Sequence, residues 1–435
     1  MTEDGKGRPA VVIGAGPMGL AVADALQSEG WQVTVFEADD RIGGMSAMFD
    51  FDGLRIERYY HFICKTDAPL LALIEALGLT SRLRWRTTRM GFFYDGAMYE
   101  WGRPDALLRF PHLGRREKLR YALHVLRARS MGDWRTLDGV EATEWIRSWV
   151  GDHAYELLWR KSFELKFYEY QQSISAAWIA TRMRRVALSR KNAFHEQMGY
   201  LEGGSEALLD ALAARLGARG GSIRLRSPVE SVLSGDGRVT GVLSRGKTHT
   251  AELVVSTVPL QFVPALAPSL SRQELARVAA IQNIGVVCVK FKLSEQFTPY
   301  FWINVNDPRI QVPGIIEYTN LNPIGSHVVY VPYYLPAAHT RWDWDHDTFA
   351  ADATECLKRM RPEWNPATIE ATHVSRYRYA QPICGPGFAD KLPSMQTSIS
   401  GFLMADTSHC YPEDRSISES LRIAEELVRL TGSPR

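Results

Sequence analysis

Three glycines near the start of the chain have the spacing of a phosphate-binding turn. The run G-A-G-P-M-G follows a short apolar strand at 9–13 and opens a helix predicted to reach about residue 29. The first glycine permits a tight turn, the second lets the backbone approach a pyrophosphate, and the third lets the helix pack closely on the strand. The helix N-terminus adds free N–H groups and a partial positive charge. The predicted contacts to a dinucleotide are Gly14, Gly16, Pro17, Met18 and Gly19.

The loop after the second strand distinguishes FAD from NAD. This strand, 31–36, ends at Glu37, where a carboxylate would accept hydrogen bonds from an adenosine ribose. Four residues later the pattern E-x-x-x-R-x-G-G adds one charged donor and further backbone donors beside the same pyrophosphate. A simple NAD dehydrogenase has no use for this loop, so the predicted cofactor is FAD. The predicted contacts here are Glu37, Ala38, Arg41, Gly43, Gly44 and Met45.

This extended pattern resembles the fingerprint of the FAD-dependent superfamily of amine oxidases, protoporphyrinogen oxidases and phytoene desaturases. UDP-galactopyranose mutase is a relative of that superfamily. The resemblance implies an α/β fold with a Rossmann-like FAD-binding domain assembled from three separate chain segments. It also implies a substrate domain of mixed sheet and helices that covers the flavin ring.

A second segment resembles the middle FAD segment of these enzymes. Gly203 and Gly204 precede a helix whose leucines 208, 209, 212 and 216 share one face. A three-stranded excursion with a turn at 235–237 follows, and the segment closes with an apolar strand at 253–258. The resemblance implies that the backbone of Val229 reads the adenine and that Thr257 contacts the cofactor. The alternative is an unrelated α/β excursion.

The last segment predicts the end of the FAD site. Asp406 ends a buried strand, where it would bind the ribityl chain or the pyrophosphate. Ser416 and Glu419 form a capping box, S-x-x-E, before an amphipathic helix. If this helix, with Ser416 and Ile417 at its start, points at the flavin pyrimidine ring, its dipole would stabilise the anionic reduced flavin. The alternative is a capped surface helix.

The three segments define the predicted domains. The predicted FAD-binding domain comprises residues 1–60, 198–270 and 395–435. The predicted substrate-binding domain comprises residues 61–197 and 271–394. Its helical part is expected at about 102–197, whereas 85–100 and 280–380 are rich in strand-forming residues.

Two segments outside the cofactor motifs carry the predicted catalytic residues. In the family, the stretch that matches 52–62 passes beside the flavin, which selects Tyr60 and His61. His61 resembles the loop histidine of UDP-galactopyranose mutase, and it could bond the flavin N5/O4 edge or move a proton, or be a buried structural histidine. The segment 376–382 resembles the one before the final FAD block of protoporphyrinogen oxidases, which selects Arg376 and Tyr379. Further candidates for an aromatic wall, or for core packing, are Tyr333, Tyr334 and Tyr411.

A basic stretch interrupts this otherwise balanced chain. Residues 103–135 hold nine Lys or Arg against three acids, and Leu119, Leu123 and Leu126 fall on one helical face. The stretch could dock peripherally on a membrane or attract a phosphate-bearing substrate, or it could be a solvated helix face. Nucleic acid is not expected as a partner, because no reading motif accompanies the charge.

Bulk properties place limits on the rest. The chain has 435 residues, a net charge of +2 and five scattered cysteines without a CxxC pair. These features predict two domains, no zinc site, no disulfide framework and a reducing compartment. A polar N-terminus and the lack of 18 uninterrupted apolar residues predict a cytoplasmic protein without a signal peptide or membrane span.

The leading functional hypothesis is an FAD-dependent oxidoreductase that takes a hydride from a C–H bond of a small organic substrate to flavin N5. No metal site and no hydrolytic triad compete for the role of catalyst. The substrate could be an amine, a polyisoprenoid, a porphyrinogen-like macrocycle or a sugar derivative. The alternatives are a flavin-dependent sugar-nucleotide mutase without net redox and a non-catalytic FAD-stabilised binding protein.

Overall fold

The computed structural model describes residues 7–192 and 194–432. The polar N-terminal residues 1–6 and the last residues of the predicted third FAD segment, 433–435, lie outside the described part. Its strands are β1 Pro9–Ile13, β2 Gln32–Phe36, β3 Met48–Phe51, β4 Leu54–Glu57, β5 Leu83–Thr87, β6 Met90–Tyr94, β7 Ala97–Trp101, β8 Arg190–Asn192, β9 His195–Leu201, β10 Ser222–Arg224, β11 Val229–Gly235, β12 Arg238–Ser244, β13 Lys247–Thr250, β14 Leu253–Ser256, β15 Asn283–Leu293, β16 Trp302–Val305, β17 Gly314–Glu317, β18 His327–Pro336, β19 Ile369–Pro382 and β20 Phe402–Met404.

Fifteen α-helices accompany these strands in the described part of the chain. They are α1 Pro17–Ser28, α2 Ala68–Ala76, α3 Pro104–Arg109, α4 Arg115–Arg129, α5 Arg135–Asp138, α6 Ala142–Val150, α7 Asp152–Tyr155, α8 Lys161–Phe167, α9 Ala176–Leu188, α10 Gly204–Ala218, α11 Val263–Leu266, α12 Arg272–Ala280, α13 His346–Met360, α14 Phe388–Lys391 and α15 Ile417–Arg429. Within the described residues, none of these helices is both long and apolar enough to cross a bilayer.

A five-stranded parallel sheet lies at the centre of the cofactor half. Its strand order is β10-β2-β1-β14-β20, and every neighbouring pair is parallel. Val12, Val35 and Val255 are fully buried in it, as expected for a parallel sheet covered on both faces. Helices α1, α10 and α15 bury their apolar faces against the same core. Strands distant in sequence thus meet in one sheet, which confirms the predicted discontinuous α/β fold.

The excursion after α10 has three strands, as predicted, but their identity needs correction: β10, which the sequence places at its start, pairs with β2 in the parallel sheet, and β13 joins β11 and β12 instead. Strands β11, β12 and β13 form an antiparallel sheet. The turn between the first two strands places Asp236 and Gly237 at φ of +51° and +71°. Two successive left-handed residues match the twist of a two-residue hairpin, which explains the glycine at the second position.

A seven-stranded sheet forms the frame of the other half. Its order is β19-β15-β18-β17-β16-β6-β7, and the long strand β15 pairs antiparallel with β18 and β19. Helix α13 packs its buried side chains, among them Phe349 and Leu357, against one face of this sheet. Helices α3 to α9 occupy residues 104–188, where α4 packs on α6 and α9.

One local expectation needs correction at α15. Ser416 caps this helix and accepts the N–H of Glu419 at 3.1 Å, as predicted. The Glu419 carboxylate does not return to the backbone of Ser416 but accepts from Arg422 at 2.7 Å. Only half of the predicted capping box therefore forms, because a charged side chain one turn further along the helix is the stronger donor.

Candidate active site

A large cavity opens between the parallel sheet and the seven-stranded sheet. Its volume is about 980 Å³, near the upper end of the roughly 300–1,000 Å³ of small-molecule sites. The predicted site residues line it, except Gly19, Arg41 and Gly43. The fold therefore gathers predicted residues from all three cofactor segments and from the substrate half around one space.

The glycine turn leaves room where a ligand backbone would pass. A Cβ added to Gly16 would meet nothing within 4 Å, so this position faces open cavity. A Cβ on Gly19 would lie 1.9 Å from the carbonyl oxygen of Gly14, which explains why Gly19 packs against the turn and does not line the cavity. No side chain caps α1, so its first-turn N–H groups stay available to an anion.

Glu37 ties this turn to the end of β2. One carboxylate oxygen accepts the N–H of Ala15 at 2.6 Å, and the other accepts the N–H of Asp39 at 2.8 Å. A carboxylate has about four acceptor sites, so both oxygens keep capacity for hydroxyl groups in the cavity. This geometry suits the predicted contact with a ribose.

The second glycine pair closes over the first turn. Gly43 donates its N–H to the carbonyl of Ala15 at 2.8 Å, with a φ of +111° that favours glycine. A Cβ on Gly44 would lie 3.7 Å from the Cα of Gly16, so these two glycines face each other. The guanidinium of Arg41 pairs with Asp40 at 2.7 Å and donates to the carbonyl of Met48. Arg41 thus braces the loop, and its predicted direct contact with the cofactor stays a prediction.

Asp406 is buried where β20 meets the cavity. Its carboxylate accepts the N–H of Leu260 at 3.0 Å and that of Ser408 at 2.8 Å. Burial alone would raise the pKa of this carboxyl, but the hydrogen bond and charge of His409 and the two N–H groups bring it below its usual value. Asp406 is therefore a fixed negative charge in the wall, close to the N-terminus of α15, where Ser416 and Ile417 also line the cavity.

A buried carboxylate orients His61. The imidazole Nδ1 lies 3.1 Å from one oxygen of Glu57, whose other oxygen accepts the N–H of Ser205 at 3.0 Å and the Ser205 hydroxyl. Because a carboxylate only accepts, Nδ1 carries the proton of this pair, and Nε2 keeps the basic lone pair. Nε2 lies 3.4 Å from the hydroxyl of Ser46. This is the arrangement of a general base held by an acid.

Aromatic rings surround Tyr60. Its ring makes edge contacts with Trp302 at 5.3 Å and with Tyr330 at 5.8 Å between centroids. Burial, together with the neighbouring Tyr334, raises the pKa of the Tyr60 phenol well above its ordinary value. Tyr60 therefore stays protonated at neutral pH and acts as a hydrogen-bond donor or as a ring surface.

The remaining predicted tyrosines divide between the cavity and the core. Tyr334 lines the cavity. Tyr333 points away from it and donates to Asp352 at 2.9 Å, and Tyr411 hydrogen-bonds with Ser175 at 2.7 Å and with Asp138. Core packing is the correct interpretation for these last two residues.

Strand β19 presents alternate residues to the cavity. His373, Ser375, Tyr377, Tyr379 and Gln381 line it, at the period of two that a strand requires. Arg376, between them, also borders the cavity, but its guanidinium donates to the carbonyls of Trp342 and Trp344 and lies over the ring of Phe349. This arrangement favours a structural role for Arg376 over the predicted catalytic one.

A charged group of side chains with more cations than anions forms another part of the cavity wall. Arg185 binds Asp67 through two hydrogen bonds of 2.9 and 2.8 Å, and Arg182 lies 3.3 Å from Asp414. In the described part of the chain, Lys166 and Arg415 have no carboxylate within 4 Å. All six of these side chains line the cavity: Asp67, Lys166, Arg182, Arg185, Asp414 and Arg415.

Lys166 is the most perturbed member of this wall. Burial, reinforced by the charge of Arg182, lowers the pKa of its ammonium to about 7. Burial would raise the pKa of the Asp414 carboxyl, but Arg182, Arg415 and their neighbours outweigh it and hold it low. The wall thus carries excess positive charge that changes around neutral pH.

Comparison with known proteins assigns the family. A model of the flavin-containing amine oxidoreductase family matches residues 19–426. The chain belongs to this family.

Among curated relatives it is 27% identical over 307 residues to 15-cis-phytoene desaturase of Narcissus pseudonarcissus, covering 65% of this chain and 53% of the relative. It is 28% identical over 323 residues to lysine-specific histone demethylase 1B of Mus musculus, covering 67% and 35%. The chain spans about a third to a half of the length of these two relatives.

Solved structures show the same fold. A candidate protoporphyrinogen oxidase from Exiguobacterium sp. 255-15 aligns with a TM-score of 0.76 at 19% identity, over 97% of this chain and 98% of that one. Cyclohexylamine oxidase from Brevibacterium oxydans IH-35A aligns with a TM-score of 0.73 at 16% identity, over 98% of both chains. The predicted superfamily is confirmed. The family consists of FAD-dependent oxidoreductases, which confirms the predicted cofactor and favours an oxidoreductase over the mutase.

The cavity fits FAD. Gly16 and Gly44 leave a gap that side chains would fill, and Glu37 is free to accept ribose hydroxyls. Asp406 and the N-terminus of α15 reach the same space.

Sequence reasoning missed Glu57 and the charged wall. Glu57 stands four positions before His61, an acid-to-histidine spacing that is too common to select it. The six wall residues come from separate segments of the chain, and only the fold brings them to one cavity.

Proposed function

We propose that the protein is an FAD-dependent oxidoreductase that removes two electrons and two hydrogens from a small organic substrate. When bound, FAD supplies the acceptor for a hydride from a substrate C–H bond. A proton must leave the neighbouring N–H, O–H or C–H group in the same reaction, since a double bond forms in the product. Oxygen or another acceptor then takes the two electrons from the protein.

The main support for this proposal is that one cavity contains both the glycine turns that leave room for FAD and a histidine that is oriented by a carboxylate. The Nε2 atom of His61 keeps a basic lone pair, beside the hydroxyl of Ser46, and Glu57 would stabilise the charged imidazole once the proton arrives. Ser205 holds Glu57 in turn, through its N–H and its hydroxyl. These contacts support His61 as the group that accepts the substrate proton.

The residues that line the cavity suit a substrate with both an apolar part and an anionic part. The rings of Tyr60, Trp302 and Tyr334 suit an apolar body. The unpaired charges of Lys166 and Arg415 suit an anionic group, because a buried cation without a partner is costly. The proposed substrate is therefore an apolar molecule that carries a carboxylate or a phosphate.

Placement in a reducing compartment is part of the proposal. All five cysteines are free and buried, which is the usual state of thiols where disulfides do not form. Burial raises the thiol pKa of all five above its ordinary value, and those of Cys64, Cys288 and Cys356 reach about 11. Such thiols are poor nucleophiles and are not part of the proposed chemistry.

The test starts with the purified protein and added FAD, followed by absorbance. We expect a yellow complex whose visible bands bleach under anaerobic conditions with an oxidisable substrate. A panel of amines, polyisoprenoids, porphyrinogen-like macrocycles and sugar derivatives, each with and without an anionic group, would identify the class. Turnover without consumption of any electron acceptor would contradict the proposal and favour the mutase. FAD binding without bleaching by any member of the panel would favour a binding protein.

A further inference from the structure

Helix α4 exposes three leucines on one face. Leu119, Leu123 and Leu126 expose 62%, 48% and 56% of their surfaces. Their spacing of four and then three residues aligns them along the helix, and we refer to them as the leucine stripe. The opposite face of α4 is buried through His124 and Ala128, where the helix packs on α6 and α9. The exposed stripe is therefore additional to the apolar face that holds α4 in the fold.

A further exposed leucine lies near α4. Leu108, in α3, exposes 70% of its surface. The ammonium of Lys118 on α4 donates to the carbonyl oxygen of Leu108 at 2.7 Å, which holds the two helices together at this point. Single exposed leucines are ordinary, but three in one row along a helix are not.

Cations flank the leucine stripe on both sides. At 3.6 residues per turn, Arg116 and Arg127 lie on one side and Arg115 and Arg129 on the other. These four arginines, which we call the basic rim, are exposed and have no ion pair in the described part of the chain. The only acid of the helix, Glu117, is turned away to the N–H of Gly114 and the imidazole of His153. Among the described residues, therefore, no carboxylate pairs with the rim.

An apolar stripe between two rows of unpaired cations matches the helices that lie in the headgroup region of a bilayer. The acyl boundary would accept the leucines, and anionic headgroups would neutralise the rim. A second copy of this chain is disfavoured as the occupant, because a symmetric contact would bring the two basic rims together. We propose that α4 docks the protein peripherally on a membrane surface that contains anionic lipid.

Helix α9 lies between this docking face and the cavity. Helix α9, on which α4 packs, carries Arg182 and Arg185, and both line the cavity. Docking through α4 would therefore place the cavity wall close to the bilayer. This would favour apolar substrates drawn from the membrane, a consequence that rests on the proposed function. The docking itself does not depend on that function.

The test is co-sedimentation of the full chain with lipid vesicles. We expect binding to vesicles of equal phosphatidylcholine and phosphatidylglycerol, weak binding to phosphatidylcholine alone, and loss of binding at high salt. Replacing the leucine stripe by serine (Leu119→Ser, Leu123→Ser, Leu126→Ser) should weaken binding at least about tenfold, since the apolar area is lost. Replacing the basic rim by glutamine should weaken binding to the mixed vesicles by roughly fivefold for each charge removed.

Leu225→Ser is the control. Leu225 is also exposed, but it lies in the loop between β10 and β11 and not on α4. It should bind vesicles like the unmodified protein. Unchanged melting temperatures and unchanged FAD uptake would show that the variants are folded. Absence of vesicle binding by the unmodified protein, or equal binding by the leucine variant, would overturn the proposal. So would a dimer in solution that the leucine variant abolishes while vesicle binding is absent.

Discussion

The two halves of the cavity are built from different parts of the polypeptide. The cofactor half consists mainly of backbone: the open position at Gly16, the N–H of Gly43 and the uncapped start of α1. The reacting half consists of side chains, with His61 held by Glu57 and with Lys166 in a cationic wall. Backbone sites depend on a few consecutive residues, whereas side-chain sites depend on elements brought together from several parts of the chain. Substitutions in the two halves should therefore fail in different ways.

The largest effect is expected in the reacting half. His61→Ala should slow anaerobic flavin reduction by roughly 10²- to 10⁴-fold, the usual contribution of a general base, while FAD affinity changes little. Stopped-flow absorbance and FAD titration separate the two quantities. His195→Ala is the control, because His195 is exposed and outside the cavity. Unchanged reduction in His61→Ala would make His61 a packing residue.

A smaller effect on the same reaction should follow from Glu57→Gln. The amide keeps the shape but not the charge that stabilises the protonated imidazole, so we expect a rate reduced by roughly ten- to a hundredfold. The pH–rate profile should also move, which a purely structural role of Glu57 would not cause. A normal rate with an unmoved profile would remove Glu57 from the proposed mechanism.

The cofactor half should respond through affinity. Gly16→Val keeps an ordinary φ of −72° and meets no protein atom, so the protein should fold normally. Its side chain would occupy the space left for the pyrophosphate and weaken FAD binding by about 10- to 100-fold. Gly132→Val, also in open space but outside the cavity, is the control. Full flavin content in purified Gly16→Val would contradict the placement of the cradle.

The cap of α15 offers a smaller effect on stability. Ser416→Ala should lower the free energy of unfolding by about 1 kcal/mol, because the N–H of Glu419 loses its acceptor. Glu419→Ala should cost about 0.5 kcal/mol or less, since its carboxylate contacts only the partly exposed Arg422. Urea denaturation measures both. An equal loss of unfolding free energy in the two variants would instead support the complete capping box that the sequence predicts.

The smallest expected effect concerns Lys166 and pH. Below pH 7 the folded protein must bury a charged lysine beside Arg182, Asp414 and Arg415, whereas the unfolded chain keeps the proton up to its ordinary pKa of 10.5. The unfolded state thus binds more protons between these values, and stability rises with pH. Lys166→Met should raise the melting temperature by on the order of 1 °C at pH 6, and the gain should shrink between pH 7 and pH 10. Lys358→Met, at an exposed helix position, should show no such trend.

The features that could be predicted from the sequence belong mainly to the cofactor half of the cavity. The turn at Gly14 to Gly19, the carboxylate of Glu37 and the hairpin at Asp236 were all predictable, because each depends on neighbours within a few residues. Arg376 lines the cavity, as the resemblance implies, but its guanidinium is held by the carbonyls of Trp342 and Trp344, which no local pattern in the sequence indicates. The bond between Glu419 and Arg422 likewise depends on competition among donors that a motif does not describe.

The sequence by itself determined that the chain has an FAD-type α/β fold, because glycine spacing, apolar periodicity and strand-ending acids are local properties of the backbone. It also located the leucines and arginines of α4 on a helix. Only the tertiary structure decided that Glu57 holds His61, that Lys166 and Arg415 share a wall, and that the leucines of α4 remain uncovered. These features depend on which distant segments meet, and that is set by the packing of the whole chain.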